Sequence, residues 1–173
     1  ISNIVGAIAL ANQNGISIDQ CLKAIEHFVG VKRRTEYIGD FNGISFYDDY
    51  GHHPTEIKAT TKALKENTSG KLIVVFQPHR FTRTRDNYEE LKNSFVHSDL
   101  TLITDVYSAG EEPIPGVSSA MFEGKDVHYV KSPRLVPHYI KNNINPGDTV
   151  LTIGAGDITL LGPQILKYLN ENK

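Results

Sequence analysis

The chain has 173 residues, of which 39% are hydrophobic, and this is enough for one full domain with part of another. A single cysteine, Cys21, excludes an internal disulfide framework and fits a reducing, cytoplasmic compartment. No stretch reaches the roughly 18 consecutive apolar residues of a membrane span, and a net charge of −2 gives no reason to expect nucleic acid or an anionic membrane as a partner.

The first part of the chain has the periodicity of two helices. Apolar residues recur at helical spacing: Ile1, Ile4, Val5, Ile8 and Ala11. Asn14-Gly15 ends this helix, and a second helix is predicted from Ser17 or Asp19 to about Phe28. Because the apolar stripe is already running at a first residue that is not methionine, we expect residues 1–31 to be two helices and a linker from a domain whose remainder is missing.

After residue 34 the pattern alternates between strands and helices. Strands are predicted at 35–41, 44–49, 71–76, 100–104, 127–130 and 149–153. Helices are predicted at about 54–66, 85–97, 118–122, 134–142 and 159–169. Asn42-Gly43 is typical of a tight hairpin turn, which makes the first two strands antiparallel. The fold class is therefore α/β, with a mostly parallel sheet and one antiparallel edge strand, preceded by the two helices of the truncated domain.

Titratable side chains crowd the turn Asp48-Asp49-Tyr50-Gly51-His52-His53, which follows the second predicted strand. In open α/β sheets, ligands bind at the carboxyl ends of the strands. A turn needs one glycine and one aspartate, not two carboxylates, a phenol and two imidazoles, so we interpret this segment as part of a site. The structural alternative is that Asp48 caps a helix, His53 is solvated and Tyr50 packs.

A second cluster places one histidine and three arginines within seven residues, at His79, Arg80, Arg83 and Arg85. The predicted position is just before a helix, where a cation opposes the helix dipole by roughly 0.3–1 kcal/mol. A locally unfavourable placement indicates a site that holds an anion, and the planar guanidinium group suits carboxylates and phosphates. The alternative is a solvated basic loop.

Other motifs carry less weight. Gly154-Ala155-Gly156-Asp157 follows a strand, but Thr159 stands where a dinucleotide fingerprint needs its third glycine. The histidines lack the spacing of a metal site, so no metal site is expected in this chain. Tyr107-Ser108-Ala109-Gly110 lacks the pattern of a serine nucleophile.

Four segments, taken in order, closely resemble the C-terminal region of the Mur ligase family: residues 48–56, 76–85, 105–116 and 154–157. The resemblance covers essentially the whole chain, and its first two segments are long and specific. It implies a three-domain enzyme with an N-terminal UDP-binding domain, a central P-loop ATPase domain and a Rossmann-like C-terminal domain with helices on both faces of its sheet. Residues 1–31 would then end the central domain, and residues 32–173 would form the C-terminal domain.

The resemblance also implies an activity, which is the ligation of L-alanine to UDP-N-acetylmuramate through an acyl phosphate. The reaction uses ATP and Mg²⁺ and belongs to peptidoglycan precursor synthesis in the bacterial cytoplasm. No Gly-Lys-Thr/Ser occurs in this sequence, so ATP and Mg²⁺ would be held mainly by the missing central domain. We therefore expect the chain to be inactive without its own N-terminal and central domains.

Roles follow residue by residue from the same resemblance. The nucleotide-facing residues would be Arg34, Asp49 and Asn3. The residues around alanine and the acyl group would be Tyr50, His52, His79, Arg80 and Arg83, of which the last four would be catalytic. The chemistry agrees, because fixed cations stabilise the oxyanion that forms when an amine attacks an acyl group. Either His52 or His79 could accept the ammonium proton, and the sequence does not choose between them.

Two other classes of protein would use some of the same residues. A phosphoacceptor receiver module would use Asp48-Asp49, Asp105 and Lys131, but it has no task for three arginines. A metal-dependent hydrolase would use the histidines as ligands.

Overall fold

The computed structural model describes residues 2–28 and 30–172, with Ser2 described by its backbone alone. The chain divides into two compact units, Ile1–Val31 and Lys32–Lys173. Ile1, the first residue of the predicted apolar stripe, lies outside the described residues.

The first unit contains the two predicted helices, α1 (Ser2–Gln13) and α2 (Ile18–Glu26). Ser17 caps α2, because its Oγ accepts the Gln20 N–H at 3.3 Å while the Gln20 side chain accepts the Ser17 N–H at 3.1 Å. This reciprocal capping box satisfies two amides that have no partner inside the helix. Gly15 has a φ of 88° and turns the chain between the helices.

The second unit is built on a six-stranded sheet with the order β1-β2-β6-β3-β4-β5. The strands are β1 (Glu36–Phe41), β2 (Ile44–Asp49), β3 (Leu72–Phe76), β4 (Leu100–Ile103), β5 (Val127–Tyr129) and β6 (Thr149–Ile153). Among the strand pairs of the described residues, β1–β2 is antiparallel and the other four are parallel. Asn42 and Gly43 both have positive φ, at 48° and 79°, as a two-residue hairpin turn requires. The predicted mostly parallel sheet with one antiparallel edge strand is confirmed.

Helices cover both faces of this sheet. They are α3 (Pro54–Lys65), α4 (Phe81–Asp86), α5 (Tyr88–Lys92), α6 (Val136–Lys141) and α7 (Leu161–Glu171). Short 3₁₀ turns at Asn93–Phe95, Ser119–Phe122, Pro133–Leu135 and Asp157–Leu160 complete the connections. In the part of the chain that the structure describes, no helix is long and apolar enough to cross a membrane.

The helix predicted from residue 85 to 97 begins earlier, at Phe81, and is interrupted at Asn87. Arg83 and Arg85 consequently lie in the last turn of α4, where a cation is favourable to the helix dipole. The expectation of an unfavourable placement is therefore wrong for these two arginines. The evidence that this cluster belongs to a site therefore comes from the partly buried surroundings of Arg83, not from the helix dipole.

The core lies on both faces of the central strands. Ile73 and Val75 of β3 pack on the side of α6 and α7, whereas Leu72, Val74 and Phe76 pack on the side of α3 and α5. This alternation explains the uninterrupted apolar run of β3, since every one of its side chains is buried. Burying each such side chain contributes about 1.5–3 kcal/mol, and the resulting rigid sheet holds the loops at its carboxyl edge.

Candidate functional site

The carboxyl ends of β2, β6, β3 and β4 meet at one edge of the sheet, as predicted for the site. Hydrogen bonds tie the neighbouring ends together: Gly154 N–H to Asp49 O (3.1 Å), Gln77 N–H to Ile153 O (3.2 Å) and Thr104 N–H to Phe76 O (3.0 Å). The two charged clusters of the sequence follow β2 and β3, which are separated only by β6. The fold therefore brings both clusters to the same edge.

A row of four rings crosses this edge. Tyr50 contacts His52 edge-on at a centroid distance of 5.3 Å, and His52 lies 6.1 Å from His79. His79 stacks on Tyr107, with centroids 5.5 Å apart and planes at 14°. The predicted residues Tyr50, His52 and His79 are thus neighbours. Tyr107 was missed as a separate site residue, although it belongs to the segment 105–116 that carried part of the resemblance.

Tyr107 also fixes the backbone that carries His79. Its N–H donates to Pro78 O and its carbonyl accepts from Arg80 N–H, both at 2.8 Å. Arg80 adopts a φ of 71°, which is uncommon for a residue with a side chain. Such outliers persist only where surrounding contacts hold them, and they cluster at functional sites.

Gly156 lets these loops approach each other. A Cβ atom at this position would lie 2.4 Å from Gln77 Oε1 and 2.7 Å from Tyr107 Cγ. The glycines of this segment thus serve close packing of the loops at the sheet edge, consistent with the absence of a dinucleotide fingerprint.

Arg83 and His79 each carry a buried nitrogen without a protein partner. Within the described residues, neither Arg83 Nη1 nor His79 Nδ1 has a hydrogen-bond partner. Buried polar atoms are paired in the great majority of cases, so each exception needs an explanation. A bound ligand would supply the missing partners. Arg80, the third predicted cation here, has an exposed side chain.

The electrostatics of the site favour a neutral His79. Burial lowers the pKa of His79 below its ordinary value, and the positive charges of Arg83, His52 and Arg80 lower it further. A neutral imidazole at neutral pH is able to accept a proton.

The N-terminus of α4 is capped from a different loop. Glu111 accepts the Thr82 N–H at 3.0 Å and the Thr82 hydroxyl at 2.7 Å. These two hydrogen bonds lower the pKa of Glu111. Glu111 thereby holds the start of the helix that carries Arg83. The N-cap residue Arg80 makes no capping hydrogen bond with its side chain, so the cap comes from Glu111 alone among the described contacts.

His53 has a structural task, unlike His52. Its Nδ1 accepts the Thr55 N–H at 3.3 Å and caps α3, while Glu56 accepts the backbone N–H groups of His52 and His53 at 3.1 Å each. Burial alone would raise the pKa of Glu56, but these N–H groups lower it overall. His52 instead places its Nδ1 3.1 Å from the Tyr50 carbonyl. A neutral His52 with its proton on Nδ1 would leave Nε2 free to accept a proton.

A separate cleft of about 290 Å³ contains Arg34 and Asp49, two of the predicted nucleotide-facing residues. Asp49 is buried and accepts the Gly51 N–H on Oδ1 and the Thr35 N–H on Oδ2, both at 2.7 Å. Arg34 is exposed at its rim. Tyr50 also lines this cleft, so it lies between the predicted nucleotide-facing residues and the row of rings.

Beside this cleft, the buried Asp48 pairs with the half-buried Arg33. Asp48 accepts hydroxyl hydrogen bonds from Thr152 and Thr159 at 2.8 Å each, and its Oδ2 lies 3.3 Å from Arg33 Nε. Asp48 is therefore a structural residue, as the alternative interpretation allowed in part. Sequence reasoning missed Arg33, although its signal was present in the doubled arginine Arg33-Arg34.

The remaining predictions concern Asn3 and metals. Asn3 lies on α1, in the first unit, with an exposed side chain, and its role stays a prediction. Across residues 2–28 and 30–172, no group of three or more His, Cys, Asp or Glu side chains is arranged to hold a metal ion. A larger cleft of about 670 Å³ lies between α3 and α5, away from the predicted residues. Charged side chains such as Lys58 and Glu90 line it, but within the described residues none of its lining residues has a buried polar side-chain atom without a partner, so the sheet edge remains the candidate site.

Comparison with known proteins agrees with these motifs. The family model described as "Mur ligase, glutamate ligase domain" matches residues 33–156. UDP-N-acetylmuramate–L-alanine ligase of Desulforamulus reducens is 39% identical over 98% of this chain, and that of an Anaeromyxobacter species is 42% identical over 96%. The chain spans 38% of the length of each of these relatives.

A solved structure gives the same result. The UDP-N-acetylmuramate–alanine ligase of Thermotoga maritima matches with a TM-score of 0.79 and 26% identity, over 99% of this chain and 37% of that one. Neither a receiver module nor a metal-dependent hydrolase is consistent with these similarities. The family match covers most of the chain and includes three of the four segments that carried the resemblance and all but Asp157 of the fourth, so the chain belongs to the Mur ligase family.

Proposed function

We propose that the complete protein joins L-alanine to UDP-N-acetylmuramate with ATP, and that this chain supplies the alanine and acyl side of the active site. One observation carries the proposal: Arg83 and His79 present buried, unpartnered nitrogens at the edge of the sheet. The two relatives that share 39% and 42% identity with the chain bear the name of this ligase. Substrate carboxylate or acyl oxygens are suitable partners for the Arg83 nitrogen.

The residues of the chain have distinct tasks in this proposal. Arg83 and Arg80 hold the alanine carboxylate and stabilise the oxyanion that develops when the amine attacks the activated acyl group. His79 or His52 accepts the ammonium proton, because each is placed to present a ring nitrogen at the edge. Tyr50 borders both the ring row and the nucleotide cleft.

The nucleotide side would be shared with another domain. ATP bound with Mg²⁺ would phosphorylate the carboxylate of UDP-N-acetylmuramate, giving an acyl phosphate and ADP, and the alanine amine would then displace the phosphate. Arg34, Asp49 and Asn3 would face the nucleotide, and the cleft beside Asp49 has a cationic residue, Arg34, in its lining that suits a phosphate. Mg²⁺ would be held mainly by the central domain, since this chain has no Gly-Lys-Thr/Ser.

The same proposal assigns the two units. Residues 1–31 would be the last helices of the central ATPase domain, and residues 32–173 the C-terminal domain. The complete enzyme would act in the bacterial cytoplasm in peptidoglycan precursor synthesis, on which cell shape and cell division depend. Its partners would be UDP-N-acetylmuramate, L-alanine and its own N-terminal and central domains.

The test is a substrate-omission experiment on the complete protein. Phosphate release and product mass are measured with ATP, Mg²⁺, UDP-N-acetylmuramate and each of L-alanine and glutamate. We expect product only with L-alanine, and phosphate release that requires all components. Equal turnover with glutamate, as the description of the family model would allow, would contradict the proposed substrate.

A further inference from the structure

The segment that precedes β1 has an unusual backbone. Arg33 and Thr35 adopt φ values of 57° and 47°, in the left-handed region that residues with side chains rarely occupy. These two residues flank Arg34, the residue proposed to face the nucleotide. Two such conformations in three residues persist only if surrounding contacts compensate for them.

The side chain of Arg33 makes three of these contacts in three directions. Its Nε lies 3.3 Å from Asp48 Oδ2, and its Nη2 donates to the Gly154 carbonyl at 2.6 Å. The guanidinium carbon lies 4.8 Å from the centroid of the Tyr50 ring, in a cation–π contact. One side chain thereby joins the segment before β1 to the ends of β2 and β6.

Hydrogen bonds of the backbone also join the segment before β1 to the end of β2. The Arg33 carbonyl accepts the Tyr50 N–H, and the Glu36 carboxylate accepts the Arg33 N–H, both at 2.7 Å. On the other side of Arg34, Asp49 accepts the Thr35 N–H at 2.7 Å. Arg34 therefore lies between two residues, Arg33 and Thr35, whose backbones are held by hydrogen bonds. Its own side chain is exposed at the cleft.

We infer that Arg33 is a positioning residue, a clasp that fixes residues 33–35 on the ends of β2 and β6 and so presents Arg34 to the nucleotide cleft beside Asp49. Its kinetic consequence rests on the proposed function, whereas the clasp itself does not. Lysine cannot replace Arg33, because a single ammonium group on a flexible stem lacks the fork that reaches Asp48 and Gly154 together.

The clasp is tested first by amide hydrogen exchange on this chain, comparing wild type with Arg33→Lys and Arg33→Gln. The matched control is Arg134→Lys, at an exposed arginine in the 3₁₀ turn Pro133–Leu135. We expect the amides of Tyr50 and Thr35 to exchange at least about tenfold faster in both Arg33 variants, because the side-chain contacts that hold residues 33–35 against the ends of β2 and β6 are lost. Unchanged protection of these two amides in a folded variant would overturn the inference.

Kinetics of the complete ligase then separate positioning from general stability. We expect Arg33→Lys to raise KM for ATP about tenfold, the effect of misplacing one charge-assisted contact. The kcat value and KM for alanine should stay within about twofold, which general destabilisation would not produce. Loss of amide protection with an unchanged KM for ATP would overturn the positioning role. If the wild-type enzyme does not ligate alanine, the proposed function fails, and the exchange measurement still decides the clasp.

Discussion

Arg83 is the residue whose surroundings most directly predict a loss of function. Its side chain is half-buried, and Nη1 has no partner within the described residues. We expect Arg83→Lys in the complete enzyme to lower kcat/KM for alanine roughly 10- to 150-fold, since a charge-assisted hydrogen bond contributes about 1.5–3 kcal/mol. KM for ATP should change little. Steady-state kinetics with alanine and ATP varied in turn provide the measurement.

The matched control for Arg83 lies on the same helix. Arg85 is exposed and pairs with its neighbour Asp86 at 2.7 Å, so Arg85→Lys should change stability by no more than about 0.5 kcal/mol and leave the kinetics unaltered. Wild-type kcat/KM for alanine in Arg83→Lys would show that the guanidinium does not hold the substrate.

His79 gives a prediction about pH. Because burial and then Arg83 lower its pKa, the unfolded chain binds more protons than the folded chain between the folded pKa and the ordinary value of about 6.5. The stability that depends on neutral His79 is therefore complete above about pH 6.5 and is lost as pH falls through this window. Unfolding by urea at a series of pH values should show this loss in wild type and less of it in His79→Gln.

Arg83 and His79 should also be coupled. Replacing the cation in Arg83→Gln should raise the pKa of His79, because the positive charge of Arg83 lowers it. Titration of the imidazole by NMR measures the shift directly. An unchanged pKa of His79 in this variant would mean that the two groups do not interact.

At the level of elements, the site depends on loops that approach closely after β3, β4 and β6. Gly156 has a negative φ of −90°, so it is not in the left-handed region, and the lack of space is what restricts a side chain there. We expect Gly156→Ala to destabilise the fold by about 1–3 kcal/mol, because its Cβ would overlap with Tyr107 and Gln77. Chemical denaturation gives the free energy of unfolding.

Gly124 offers a control in the same unit. A Cβ atom there would meet only the Phe122 carbonyl oxygen, at 3.8 Å, so Gly124→Ala should be tolerated. Equal stability of the two variants would show that the loops relax around a side chain at position 156, and that the position of Tyr107 does not require a glycine there.

At the level of the whole molecule, the expected behaviour is folding without turnover. The second unit has apolar clusters on both faces of its sheet, which supports cooperative unfolding. The chain has no P-loop lysine, so we expect no phosphate release from ATP with UDP-N-acetylmuramate and alanine. Turnover by the 173-residue chain, measured against a protein-free blank, would contradict the division of labour proposed between the domains.

The strands, the hairpin and the residues of both charged clusters could be predicted from the amino-acid sequence alone. These features depend on local patterns: the buried run at β3, the Asn42-Gly43 turn and the density of titratable groups after β2. The sequence also indicated the family, because the order of the four segments is specific. Local periodicity is sufficient to predict a structural element where the environment of each side chain is set by its neighbours in sequence.

The role of each side chain in the clusters depends on contacts that are visible only in the three-dimensional structure. The start of α4 depends on Glu111, a residue almost thirty positions away in the chain, so no local cap signal could locate it. Likewise, Arg33 joins the ends of two strands, and within the described residues His79 and Arg83 keep buried nitrogens without a partner. Capping, ion pairing and burial are settled by atoms brought together from distant segments, and a one-dimensional pattern does not contain those distances.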